Sequence, residues 1–258
     1  MKVSYISDLH LDFWCPFTMN QLKWEQRTKE FVEKLVATDE SEKEVLCLGG
    51  DYSHYNHQTM WMLDVFSKHY EQVFMVFGNH DFYLVSRNQA NKYKNKSANR
   101  IEEIDKNALN NYENVIPLHS GRTWDYKGVK FGGDTMWYPV ETFHQKVFYN
   151  DISNDSRYIK GFDINFENYI SISDYSNMMD EGIDVMISHV PLIHINSHEN
   201  YASTACYYTP VDMLPKYVIQ AHSHERAVYE KSGSLLYMNC LGYPNNHLGK
   251  PEIRSFEL

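Results

Sequence analysis

Five short hydrophobic runs in this chain each open into a polar motif, and that repeated pattern leaves few architectures available. Val3 to Ile6 leads to Asp8-Leu9-His10, Val45 to Leu48 to Gly50-Asp51, and Val73 to Phe77 to Gly78-Asn79-His80-Asp81. Val185 to Ile187 leads to Ser188-His189, and Tyr217 to Ile219 to His222-Ser223-His224. Runs this short and this rich in β-branched or aromatic residues predict buried strands, with the polar groups at their exits. In open α/β sheets ligands gather beyond the carboxyl ends of the strands, so motifs far apart in sequence are expected to converge on one site.

The segments between the runs support a mixed α/β chain. Gln21 to Val36 places Leu22, Phe31, Val32, Leu35 and Val36 near helical spacing, and a second helix is predicted over about Gln58 to Tyr70. The first half therefore reads as strand, helix, strand, helix, strand, which implies parallel strands. Lys127 to Gly133 and Leu235 to Asn239 read as further strands, and Asp163 to Asp180 as a helix. Residues 84 to 112 break the pattern: Arg87, Lys92, Lys94, Lys96 and Arg100 precede the first acidic residue, Glu102. That basic island reads either as a solvated surface or as a cap insertion presenting cations such as Arg87 to a substrate phosphate, and the sequence leaves both open.

A chain of 258 residues fits one domain, here 1–258. Its 34 acidic and 24 basic side chains give a net charge of -10, which argues against extended nucleic-acid binding or attraction to anionic membranes. Cys15, Cys47, Cys206 and Cys240 lack Cys-x-x-Cys spacing, as expected of a reduced, cytoplasmic protein. No apolar stretch approaches the roughly 18 residues needed to span a bilayer, and no leader pattern opens the chain.

The polar motifs carry carboxylate, amide and imidazole groups without thiolate, a set that suits divalent Mn, Fe, Zn or Ni better than a structural Cys-rich site. In an extended segment residues i and i+2 point to one side, so Asp8 with His10, and His222 with His224, can each offer two ligands to one pocket. Asp51, after Gly49-Gly50, is the natural bridging carboxylate. Two divalent ions bring four positive charges and Asp8 with Asp51 return two, so the site stays cationic, attracts phosphate and lowers the pKa of a bridging water to make hydroxide. His80 is placed to give the leaving oxygen a proton or to stabilise charge on the phosphoryl oxygens, with Asp81 in place to orient its imidazole.

These ordered motifs closely resemble those of the calcineurin-like metallophosphoesterase family: Asp-x-His, Gly-Asp, Gly-Asn-His-Asp or Glu, a lone His, and Gly-His-x-His. The match runs from the first strand to residue 224, and Gly132 to Trp137 and Asn239 to Pro244 look like bacterial and phage-type members. The resemblance implies a four-layer α/β/β/α sandwich with two mixed sheets. It implies two divalent ions, with Mn favoured, one held by Asp8, His10, Asp51 and His224 and the other by Asp51, Asn79, His189 and His222. His80 would be the catalytic imidazole. The Gly-Asn-His-Asp form is similar to phosphodiesterase-type branches; Ser/Thr protein phosphatases carry Glu there and Asp-Arg-Gly where this chain has Tyr52-Ser53-His54.

Two departures stand out. Ala221 replaces the usual Gly, and the acidic residue that normally follows the second motif is absent, with His54 and His57 nearby instead. His54 and His57 read as standing behind the ligands, facing the substrate or simply exposed, and His54, Tyr83 and Arg87 are the candidate substrate contacts. Phe82, Tyr52, Tyr55, Tyr207 and Tyr208 lie near motifs, but among 20 tyrosines some must; His194, His198 and Asn200 fit no ligand spacing. The expected reaction is metal-dependent hydrolysis of a small phosphate ester, a phosphodiester or nucleotide ahead of a phosphomonoester. A nuclease of the same fold would need a long basic groove, and a non-catalytic scaffold would be expected to have lost His80 or several ligands.

Overall fold

The computed structural model describes residues 1–193, 208–246 and 249–258. Residues 45–48 are wholly buried because their strand has neighbours on both edges and layers on both faces, which is what a continuous apolar run needs. β1 (Lys2–Ile6), β2 (Val45–Leu48), β3 (Gln72–Met75) and β4 (Val115–Pro117) run parallel in that order. The second sheet contains β5 (Thr123–Tyr126), β6 (Val129–Asp134), β7 (Val185–Ser188), β8 (Tyr217–Gln220), β9 (Arg226–Lys231) and β10 (Ser234–Asn239) in the order β5-β6-β7-β8-β10-β9. Its inner strands are parallel and its edges, β5 and β9, antiparallel. β11 (Arg254–Glu257) returns to the first sheet, antiparallel to β1.

Alternation along β2 separates two cores. Val45 and Cys47 face the second sheet, packing in one cluster with Phe131, Val185, Ile187 and Ile219. Leu46 and Leu48 face outward, onto α2 (Gln21–Val36), α3 (Asn56–His69) and α5 (Ser97–Asn111). α8 (Ile164–Asp180) covers the outer face of the second sheet through Ile164, Tyr175 and Met178. The result is the four-layer α/β/β/α sandwich with two mixed sheets. Shorter helices follow strand exits: α1 (Leu11–Trp14) after β1, α4 (Arg87–Lys92) after β3, and α6 (Phe143–Val147) with α7 (Asn154–Tyr158) after β6.

Register brings the exits level. Ile6 pairs with Leu48 and Leu48 with Met75 in one sheet, and Asp134 pairs with Ser188 and Ser188 with Gln220 in the other. Ser7 joins the sheets, donating its amide to Asn239 O at 3.1 Å and accepting from Leu241 N at 2.8 Å. All five polar motifs therefore leave the sandwich on one side. Residues 97–111 are the crossover from β3 to β4, with Ile101, Ile104 and Ala108 buried in the core. Cys15, Cys47 and Cys240 are free and buried, and Cys206 lies outside the described residues. Among the described residues no helix is long and apolar enough to cross a membrane.

Candidate metal centre

Asp8 with His10, and His222 with His224, reach a common pocket by a route other than strand alternation. Asp8, His10, Asp51, His222 and His224 have φ of 50°, 41°, 58°, 65° and 53°, so the expected extended segments are in fact left-handed turns. That region costs a residue with a Cβ about 1–2 kcal/mol, and such strain persists only where the surroundings enforce it. Here cross-strand bonds do so: Asp8 N to Gly50 O and His10 N to Asp51 O, both 2.9 Å. Gly50, at φ 90°, must be glycine, because a Cβ there would lie 2.5 Å from Gly78 N.

The donor atoms form two groups. In the first, His10 Nε2 lies 3.1 Å from His224 Nε2 and 3.7 Å from Asp51 Oδ2, and His224 Nε2 lies 3.5 Å from Asp8 Oδ1. In the second, His189 Nε2 lies 3.0 Å from Asn79 Oδ1, 3.2 Å from His222 Nδ1 and 3.6 Å from Asp51 Oδ1. Asp51 faces each group with one oxygen. Atoms ligating one ion at about 2.0–2.2 Å stand roughly 3–3.5 Å apart, which these spacings match. Asp8 Oδ1 is buried with no hydrogen-bond partner among the described residues, a rare state that a cation would relieve. The donor set therefore fits two divalent cations.

Electrostatics agree. Burial, then the charges of Asp8 and Asp81, push Asp51 well above the usual carboxylate range. Burial, then neighbouring imidazoles, push His10 and His80 well below the usual histidine range, so their ring nitrogens keep free lone pairs. A dication reverses the penalty on Asp51, since it turns a repelled carboxylate into an attracted one.

His80 sits between these groups and the solvent edge. Its amide donates to Asp51 Oδ1 at 2.8 Å, and its ring stacks on Tyr83 with centroids 4.3 Å apart. His80 Nδ1 lies 3.0 Å from His54 Nε2, and His54 Nδ1 lies 2.7 Å from Asp12 Oδ2. His54 thus stands behind His80, held from its far side by Asp12 of α1. Asp81 does not orient the imidazole: its carboxylate accepts from Asp51 N, Gly78 N and Tyr52 N at 2.8, 2.9 and 3.0 Å and so clamps two motif loops together. Burial lifts Asp81 to about 6 although the Arg100 guanidinium nearby opposes the shift. Arg100, part of the basic island, is fully buried and donates to the carbonyls of Ser53, His80 and Tyr83; it braces the loops and cannot meet a substrate phosphate.

Asp155 has no motif to mark it, since it lies on α7 away from any strand exit. Its carboxylate, 3% exposed, accepts from Asn79 Nδ2 at 2.7 Å and from the hydroxyls of Tyr83 and Tyr138. Tyr83 is accordingly buried with its hydroxyl turned inward onto Asp155. The charge count made from the motifs also omitted this carboxylate. Arg87 is exposed on the first turn of α4; it is Gln89 of that helix that reaches the site, donating to His54 O at 2.6 Å. His57 is exposed and packs edge-on to Trp24 and Trp61. Ala221 is buried at ordinary φ, so its methyl fits without strain. His194, His198, Asn200 and Tyr207 lie outside the described residues.

Comparison with known proteins gives a consistent picture. The sequence model of the family described as calcineurin-like phosphoesterase matches residues 1–226. Uncharacterized protein L509 of Acanthamoeba polyphaga mimivirus is 24% identical over 274 residues, covering 93% of this chain and 90% of that protein. Among solved structures, the phosphopantetheinyl hydrolase PptH of Mycobacterium tuberculosis superposes with a TM-score of 0.63 at 16% identity, covering 99% of this chain and 95% of that one.

Proposed function

The chain belongs to the calcineurin-like phosphoesterase family, and from that premise we propose that it hydrolyses a small phosphodiester or nucleotide with two divalent ions, Mn favoured. One ion is assigned to Asp8, His10, Asp51 and His224, the other to Asp51, Asn79, His189 and His222. The observation that carries this reading is Asp51, which offers one oxygen to each donor group, at 3.7 Å from His10 and 3.6 Å from His189. When bound, such ions polarise phosphoryl oxygens and bring the pKa of water toward neutrality, so no Ser or Cys nucleophile is required.

The chain's own residues supply position and a hydrogen-bond donor at the leaving group. His54 engages His80 at Nδ1, which leaves His80 Nε2 to serve the leaving oxygen. Phe13, 47% exposed, packs edge-on against Tyr243 and His54 with centroids 4.8 and 5.9 Å apart. It gives the rim a ring surface for the unreacting half of a diester or for a base, which favours these over a bare monoester.

The direct test strips the protein of metal, reloads it with Mn(II), and compares bis-p-nitrophenyl phosphate with p-nitrophenyl phosphate. Nucleotides, cyclic nucleotides and a phosphopantetheinyl serine peptide extend the panel. Mn-dependent turnover with the diester faster is the expected result; equal rates with and without metal would sink the two-ion reading, and a faster monoester the substrate assignment. His54→Ala is expected to lower kcat about 10-fold, as loss of a group that orients a reacting residue does, while two Mn remain bound. The loss should grow with poorer leaving groups, and a uniform loss across leaving groups would remove His54 from proton delivery.

A further inference from the structure

Asn79 is an ambiguous ligand, because a carboxamide presents oxygen or nitrogen to a cation depending on which way it is turned, and only the oxygen can bind. We infer that Asp155 is the residue that fixes this choice: it locks Asn79 with its oxygen toward His189 and thereby creates the second ion site. The inference rests on the reading of Asn79 as a ligand and adds to it the group that makes the amide one.

The geometry is one-directional. A carboxylate only accepts, so the Asn79 atom 2.7 Å from Asp155 Oδ1 must be the NH2 nitrogen. Tyr83 closes the alternative: its own hydrogen goes to Asp155 Oδ1, so at 3.1 Å from Asn79 its oxygen can only accept as well. Both donors of Asn79 are therefore drawn to one side, and Oδ1 is left 3.0 Å from His189 Nε2. Asp155 is itself over-determined. Tyr138 donates to its other oxygen, Ser153 Oγ accepts from its amide at 3.1 Å, and Tyr158 O accepts from Leu84 N at 2.9 Å, tying α7 to the chain just beyond Asn79. The Tyr138 ring runs near-parallel to that of His222, 6.4 Å between centroids, so the network borders a second member of the same donor group.

The lock also accounts for Asn rather than Asp at position 79. An aspartate there has no NH2 to give, and would set an acceptor against Asp155 Oδ1 and the Tyr83 oxygen where both now receive a hydrogen. This yields a reversal of sign that ordinary packing would not produce. Mn(II) isotherms are to be measured for the full chain and for Asn79→Asp, Asp155→Asn, Asp155→Ala and the Asn79→Asp/Asp155→Ala double variant, with thermal unfolding of each. The parent is expected to bind two ions. Asp155→Ala should weaken one of them about 10–100-fold, the usual effect of losing a partner that orients a ligand, and leave the other unchanged. Asp155→Asn, which keeps an acceptor for Asn79, should stay within about 3-fold of the parent. Asn79→Asp should also weaken that ion despite adding a ligand charge, and Asp155→Ala in that background should strengthen it.

Should Asp155→Ala fail to fold, Asn79→Asp alone decides, since tighter binding of the second ion by that variant overturns the lock. Two ions bound with parental affinity by Asp155→Ala would also overturn it. A parent that binds only one ion fails differently: it removes the two-ion reading, and the lock falls with it.

Discussion

Asp51→Asn is expected to cost about 10³-fold or more in kcat/KM while making the metal-free protein more stable. The first half follows from the position of the carboxylate between the two donor groups. An amide can offer oxygen to one group only, and turns an NH2 toward the other, so one ion is repelled at the distance where it would have been bound. Loss of an ion that stabilises the transition state by several kcal/mol corresponds to about three decades in rate. The second half follows from the cost of burying the charge. Burial, then Asp8 and Asp81, push Asp51 well above the usual carboxylate range, so without metal its ionised form works against folding at neutral pH. Replacing it by a neutral amide of the same shape removes that cost. The sign with pH is fixed: a raised carboxyl takes up its proton in the folded state first, so the advantage of the variant shrinks as pH falls through the raised pKa and is gone below about 3.9, the unfolded value. Urea unfolding of both metal-free proteins across pH, beside Mn isotherms and diester turnover, checks each part. A variant that turns over normally with one ion, or a metal-free variant less stable than its parent at pH 7, would contradict the bridging role.

How much of this the sequence showed depended on whether the signal was local. The runs at residues 45–48 and 185–187 are buried on both faces, so apolar continuity alone marked them, and α2 came out at Gln21–Val36 as its spacing required. Edge strands were invisible: β5 and β11, Thr-Trp-Asp-Tyr and Arg-Ser-Phe-Glu, are half exposed and carry charges that read as loop. The helix after β2 begins at Asn56 rather than Gln58, because Asn56 is buried against Arg100 O and Glu103, a tertiary tie with no local signature. The donor residues were legible since each follows a strand, yet the way they converge was not. Left-handed φ at Asp8 and His10 is imposed by bonds to Gly50 and Asp51, more than 40 residues away. Asp12 and His54 were within reach of inference, the second standing where an acidic residue is usual. Asp155 was not, because it enters from a short helix whose own periodicity says nothing of Asn79.

Gly78→Ala should be nearly as damaging as loss of Asp51, although it adds only a methyl group to a residue with no side chain in the chemistry. Gly78 has φ -99° and ψ 172°, extended values that alanine adopts freely, so the backbone is not the obstacle. Space is. A Cβ at Gly78 would lie 2.2 Å from Asp51 Oδ1, 2.5 Å from His189 Cε1 and 2.7 Å from Asp51 N. None of these atoms can yield cheaply. Asp51 N is held by Asp81 at 2.8 Å, Asp51 Oδ1 by the amide of His80 at 2.8 Å, and His189 Nδ1 by Gly49 O at 2.8 Å. The methyl therefore drives apart the carboxylate and imidazole that stand 3.6 Å apart in the second donor group. Overpacking of this kind costs about 1–3 kcal/mol of stability, and displacement of ligands by even about 1 Å is worth about 10²-fold in rate before any loss of metal. The expected outcome is a folded protein of lower Tm that binds the Asp8 group's ion, binds the second ion at least about 10-fold more weakly, and turns over diester about 10³-fold more slowly. Two ions bound with parental affinity would mean that the Asp51 to His189 spacing does not set the second site, and the pairing of carboxylate oxygens with donor groups would have to be drawn again.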